Sequence, residues 1–144
     1  MTYALATSLQ KAVYAALTND AGVSGFVGTA IYDAPLDQQI EPGARDFITI
    51  GEEQVRDGST GTSYGAQHDF EVSIYSNREG YKTGKDIAAA LCDALVDTDL
   101  PLERGKLVSL RFRSARARPG KQPDRRVISV IFRAVVEDDT SYQG

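Results

Sequence analysis

His68-Asp69-Phe70-Glu71-Val72-Ser73-Ile74-Tyr75-Ser76 is the stretch that decides the fold of this chain. Phe70, Val72 and Ile74 alternate with Asp69, Glu71, Ser73 and Tyr75, and that period of two gives a strand one buried and one exposed face. Upstream, Phe47-Ile48-Thr49-Ile50 opens another strand running to about Val55. Downstream, residues 106–115 and 125–136 read as two more. Val108, Leu110 and Phe112 are expected on one face of the first, with Ser109, Arg111 and Arg113 on the other. In the second, Ile128, Val130 and Phe132 alternate with Ser129 and Arg133. A turn centred on Pro119-Gly120 is predicted to join them. Ala30-Ile31-Tyr32 offers a fifth, short strand.

Two segments follow a helical period instead. Leu5, Leu9, Val13 and Leu17 recur every four residues, with Ala12 and Ala16 beside them, so residues 3–17 form one apolar stripe. Asn19-Asp20-Ala21-Gly22 stops that helix. Ile87, Leu91 and Leu95 make the second stripe, and Ser76-Asn77-Arg78-Glu79 has the spacing of a capping box to start it. The order is helix, short strand, two strands, helix, two strands. An α+β two-layer sandwich buries every stripe at once, with an antiparallel-rich sheet of four to five strands and two helices on one face. One domain spanning residues 1–144 is expected, without repeat or linker. Residues 33–45 and 57–65 read as irregular connections, the latter long, polar and glycine-rich, and residues 137–144 as a frayed end.

Charge is unevenly distributed. Residues 1–103 hold 16 acids and 6 bases, a net of −10, whereas residues 104–144 hold 10 bases and 4 acids, a net of +6. The whole chain carries −4 with a pI near 5.0, which argues against general affinity for nucleic acid. The N-terminus lacks a basic stretch followed by an apolar run, so no signal peptide is expected. The longest apolar run, residues 127–136, contains Arg133 and is about half the length that spans a bilayer, so no membrane partner is expected.

Motifs for catalysis fail on inspection. Gly80-Tyr81-Lys82-Thr83-Gly84-Lys85-Asp86 has three residues between its glycines and an acid after the lysine, where a phosphate loop needs four and a hydroxyl. His68 adjoins Asp69, but strand neighbours point to opposite faces, so a strand-edge histidine without catalytic duty is expected. Cys92, the sole cysteine, reads as a small buried or half-buried thiol. The pairs Glu52–Glu53 and Asp97–Asp99 lack a cleft, and Glu137-Asp138-Asp139 lacks the alternating ligands of a calcium loop. No catalytic residue, metal site or cofactor is nominated.

What remains is the basic segment. Residues 104–126 carry nine bases and one acid, Asp124, with Arg111 and Arg113 on a strand and Arg116, Arg118, Lys121, Arg125 and Arg126 on the hairpin that follows. Three readings stay open: pairing with acids such as Glu71 or Glu52 in the same chain, contact with the acidic half of a neighbouring copy, or direct contact with phosphate. A head-to-tail contact between copies closes into a ring or extends into a filament.

In their order, the alanine-rich first helix, Val27-Gly28, Ile31-Tyr32-Asp33-Ala34-Pro35, Phe47-Ile48-Thr49-Ile50-Gly51-Glu52, His68-Asp69-Phe70-Glu71-Val72, Gly80 before Ile87-Ala88-Ala89-Ala90-Leu91, Arg111-Phe112 and Val136-Glu137-Asp138 carry a resemblance. The chain resembles the tail-terminator (tail completion) proteins of long-tailed phages and their counterparts in gene transfer agents. That resemblance implies a structural protein of the virion, not an enzyme. It implies a ring, commonly of six subunits, that caps the head-proximal end of the tail tube and ends its polymerisation. Its partners would be further copies of itself, the tail tube protein and the head-tail connector or stopper, with DNA passing through the lumen without sequence specificity. The loop with Asp57, Ser59, Thr60, Thr62, Ser63 and Tyr64 is the expected docking element for tube or connector. A head-tail connector and a small nucleic-acid-binding module are the alternatives.

Overall fold

Leu5, Leu9, Val13 and Leu17 are all buried in α1 (Ala6–Asn19), as the four-residue spacing predicts. Asp20 then does more than stop the helix. Its side chain accepts a hydrogen bond from the Val23 N–H at 3.0 Å and so caps a second, short helix, α2 (Ala21–Val27). This helix corrects the expectation of only two helices. It ends at Gly28, whose φ of 60° suits glycine.

The computed structural model describes residues 5–33, 46–57, 65–76, 80–120 and 125–138. Five strands form one mixed sheet: β1 (Ile31–Asp33), β2 (Phe47–Asp57), β3 (Gly65–Ser76), β4 (Lys106–Pro119) and β5 (Arg126–Glu137), in the order β1-β2-β3-β5-β4. Only the β1–β2 pair is parallel. α3 (Lys82–Leu95) packs with α1 and α2 against one face, with Ile87, Leu91 and Leu95 fully buried. The expected α+β two-layer sandwich is therefore present. Gly84 sits where α3 meets the sheet most closely, since a Cβ there would stand 2.9 Å from Ile128 Cδ1.

β3 and β5 form the centre. Val72, Ile74, Val130, Phe132, Ala134 and Val136 are at most 1% exposed and line the helix-facing side. His68 lies on this side too and is fully buried on the central strand, so it is not the strand-edge residue the sequence suggests. Asp69 points to the opposite face, as adjacency requires.

Other expectations shift. The helix of α3 begins at Lys82 after Tyr81, with no side-chain cap, so the Ser76 capping box does not start it. Ser76 is instead the last residue of β3. Pro119 is not a turn centre: it pairs with Arg126, and the Gly120 N–H donates to the Arg125 carbonyl at 2.8 Å, so the hairpin runs further than expected. The end of β5 is not frayed at residues 137–138. Asp138 is buried and accepts two hydrogen bonds from Arg104, at 2.7 and 3.2 Å. The Ser8 hydroxyl binds the Arg104 backbone at both N–H and carbonyl, 3.0 Å each, tying α1 to the same corner.

Candidate functional site: the basic edge strand

β4 carries Arg111, Arg113, Arg116 and Arg118 at the outer edge of the sheet. Its register against β5 shifts twice, between Leu107 and Ser109 and between Phe112 and Ser114. Each shift inserts one residue, Val108 and Arg113, and each re-aims the side chains beyond it. The predicted facing holds for Leu110 and Phe112, opposite Ala134 and Phe132, and fails for Val108, which the first shift takes out of that row. Leu107 and Leu110 face the core, whereas Val108 is 52% and Phe112 49% exposed.

The structure divides the basic residues into two sets. Arg113 and Arg133 converge on Asp69. Arg133 donates from Nε to Oδ1 at 2.9 Å and from Nη2 to Oδ2 at 3.2 Å, and Arg113 donates from Nη1 to Oδ2 at 2.9 Å. The Arg133 hydrogen bond is the main force holding the Asp69 carboxyl below its ordinary range, with help from the charges of Arg133, Arg113 and Arg56 and against the cost of burial. Arg125 is buried, its guanidinium 5.2 Å over the Phe47 ring, which itself stacks on Tyr75 at 4.6 Å. Arg126 lies 5.8 Å over Tyr81. All four of these arginines are engaged within their own chain.

Arg111, Arg116 and Arg118 form the second set. They stand opposite Arg133, Ser129 and Val127 on the face away from the helices, and make no ion pair with any described residue. Among the described residues Arg113 and Arg133 pair with Asp69, which the sequence reading did not single out. Glu71 accepts from the Ser73 hydroxyl at 2.9 Å instead. Only strand register could have revealed Asp69, because Arg113 and Arg133 belong to different strands.

The remaining candidates are quieter. His68 Nδ1 lies 3.5 Å from Glu53 Oε2, the imidazole fully buried and the carboxylate partly exposed. Burial raises the Cys92 thiol, which disfavours a thiolate. An open groove of about 610 Å³ runs between α1 and β1, past Gln10, Lys11, Tyr14, Ile31 and Tyr32. Among the described residues no three His, Cys, Asp or Glu side chains gather as a metal site would require. Among the described residues no helix is long and apolar enough to cross a membrane. Asp57 ends β2 and is exposed; Ser59, Thr60, Thr62, Ser63 and Tyr64 of the expected docking loop, and Lys121 of the hairpin, lie outside the described residues.

Comparison with known proteins agrees with this fold. A family model described as tail completion protein gp17 matches residues 11–137. A chain in the solved virion of a native gene transfer agent particle is 46% identical, with a TM-score of 0.84 over 94% of this chain and 99% of that one. No curated protein matches.

Proposed function

Because the chain belongs to the tail completion protein gp17 family, we propose that copies of it close into a ring that caps the head-proximal end of a phage or gene-transfer-agent tail. The ring, of six subunits, ends polymerisation of the tube and joins it to the head connector. DNA crosses the lumen without being read. The protein acts as a structural part and performs no chemistry.

One observation carries this reading. Arg111, Arg116 and Arg118 make no ion pair with any described residue, while residues 1–103 carry a net of −10. A subunit with an unsatisfied basic edge and an acidic body attracts the next copy in one orientation, and repetition of that step with a closing rotation yields a ring. Termination then follows from geometry. One side of the ring matches the last layer of the tube, and the other presents a different surface, so no further tube subunit can add. Asp57 and the loop through Ser59, Thr60, Thr62, Ser63 and Tyr64 supply the docking contact, ordering on the tube and losing entropy only there.

Electron microscopy of particles made without this protein tests the proposal. Overlong or headless tails are expected. Heads that leak DNA beside tails of normal length would identify a connector instead. A chain lacking residues 60–63 that still ends tails normally would remove the loop from its docking role.

A further inference from the structure

The far end of β4 is an open template. From Ser114 to Pro119 it pairs with β5 in unbroken register, with no inserted residue. Before that stretch the edge is closed: the Asp97 N–H covers the Leu110 carbonyl at 2.9 Å, and Asp97 takes a φ of 56° to reach it. After it, the Gly120 N–H turns inward to the Arg125 carbonyl at 2.8 Å. Alternation from that bond sends the backbone groups of Ser114, Arg116 and Arg118 to β5, and those of Ala115 and Ala117 to the outside. β4 ends the sheet, and among the described residues nothing takes up those outward groups. Pro119 also faces outward and, as proline, has no N–H to leave unpaired.

Side chains are sorted by face as well. Arg116 and Arg118 stand opposite Ser129 and Val127 on the side away from the helices, whereas Ala115 and Ala117 stand opposite Val130 and Ile128 on the helix side. Val130 and Ile128 are buried in the core, yet both alanines are exposed, so the helix layer stops short of β4 here. Phe112, on the same side, is left 49% exposed. One face of the edge presents positive charge, and the other presents small apolar surface beside an aromatic ring.

We infer that this edge binds an extended segment of a second protein in which acidic and apolar residues alternate. Recognition is by strand addition. The guest pairs with the outward groups of Ala115 and Ala117, which places its successive side chains on opposite faces. Its acids then lie ~5 Å from Arg116 and Arg118, close enough for charge-assisted hydrogen bonds. Its apolar residues cover Ala115, Ala117 and the Phe112 ring.

Charge complementarity selects the occupant. A second β4 is rejected, because two such edges would set arginine beside arginine, the means by which edge strands avoid their own kind. Within this chain β3 and β5 lie inside the sheet, and Glu53 and Asp57 of β2 are already engaged. The inference goes beyond the ring proposed above. Attraction between copies needs only opposite charge, whereas this edge requires a strand in register.

The test uses the full chain and a short synthetic peptide of alternating valine and glutamate, blocked at both ends and carrying a fluorophore. Fluorescence anisotropy should show binding, and hydrogen exchange at the Ala115 and Ala117 amides should slow with it. A peptide of the same composition, with valines and glutamates in separate blocks, keeps the charge and loses the alternation. Another, N-methylated at the valines that face Ala115 and Ala117, keeps the side chains and loses the N–H groups. Each should bind about tenfold more weakly or worse. Arg116→Glu with Arg118→Glu should lose the glutamate peptide and bind a valine–lysine counterpart instead. Equal binding of all three glutamate peptides to the parent reduces the edge to a charged surface and overturns the strand site. So does binding that leaves the two alanine amides exchanging as before. A parent chain that binds none of the peptides overturns it too, and leaves the ring standing on its own test.

Discussion

β3 and β4 are 12 and 14 residues long and share the same apolar–polar patterning, yet they live in opposite surroundings. β3 is buried or half-buried at every position, including its polar face, where Asp69 and Ser73 are each only 6% exposed. β4 is exposed over most of its length. Alternation fixes which side chains share a face; position in the sheet fixes whether that face sees water. The central strand is accordingly part of the core, whereas the edge strand leaves its arginines in water.

Phe132 and Phe112 put that division to its hardest test, because they are cross-strand partners with 0% and 49% exposure. Phe132→Ala opens a cavity among Phe70, Val130 and the helices, and should cost about 3–5 kcal/mol in urea denaturation. A loss below 1 kcal/mol would mean that β5 is not the core strand described.

Asp69 comes next. Asp69→Asn removes the charge that Arg113 and Arg133 share. Those arginines keep 46% and 35% of their side-chain surface in water, so the loss is discounted for screening to about 1–2 kcal/mol. The pH dependence has a definite sign. A carboxyl whose folded pKa is lowered contributes fully above its unfolded value, near pH 3.9, and loses that contribution as pH falls through the folded value. The parent should therefore lose stability at its acid limb and the Asn variant should show a flatter one. Parallel acid limbs would show that Asp69 is not what titrates.

Most of this architecture was legible in the sequence, and the exceptions have physical causes. Leu5, Leu9, Val13 and Leu17 predicted α1, and Phe70, Val72 and Ile74 predicted the buried side of β3, because periodicity survives without tertiary information. Inserted residues do not announce themselves, so the bulge at Val108 took that residue off the face it was predicted to share with Leu110 and Phe112. Asp20 reads as a helix stop, and its second role as a cap for α2 depends on a single hydrogen bond. The arginines drew attention as a group, but which of them are satisfied depended on register: Arg113 falls beside Asp69 and Arg111 beside Arg133.

Phe112→Ala sharpens the comparison from the other side. The ring is half in water, so truncation should cost under about 1 kcal/mol, well short of the Phe132 effect on the same rung of the ladder. A cost matching that of Phe132 would place Phe112 in a core the described residues do not contain.

The smallest effect on stability is expected where the effect on assembly should be largest. Arg116→Ala with Arg118→Ala removes charges that have no partner in the described chain, so the urea midpoint should shift by the equivalent of about 0.5 kcal/mol or less. Association should respond differently. Raising salt from ~0.01 to ~1 M shortens the reach of a charge from ~30 to ~3 Å. Rings of the parent should weaken steeply along that series in light scattering, because the arginine edge and the acidic body of the next copy lose sight of each other. The Ala variant should start weaker and barely respond, since the charges that salt would screen are gone from that edge. If the variant keeps the parent's full salt dependence, the charges that draw copies together lie elsewhere on the molecule, and the contrast between a stabilising centre and an assembling edge no longer holds for β4.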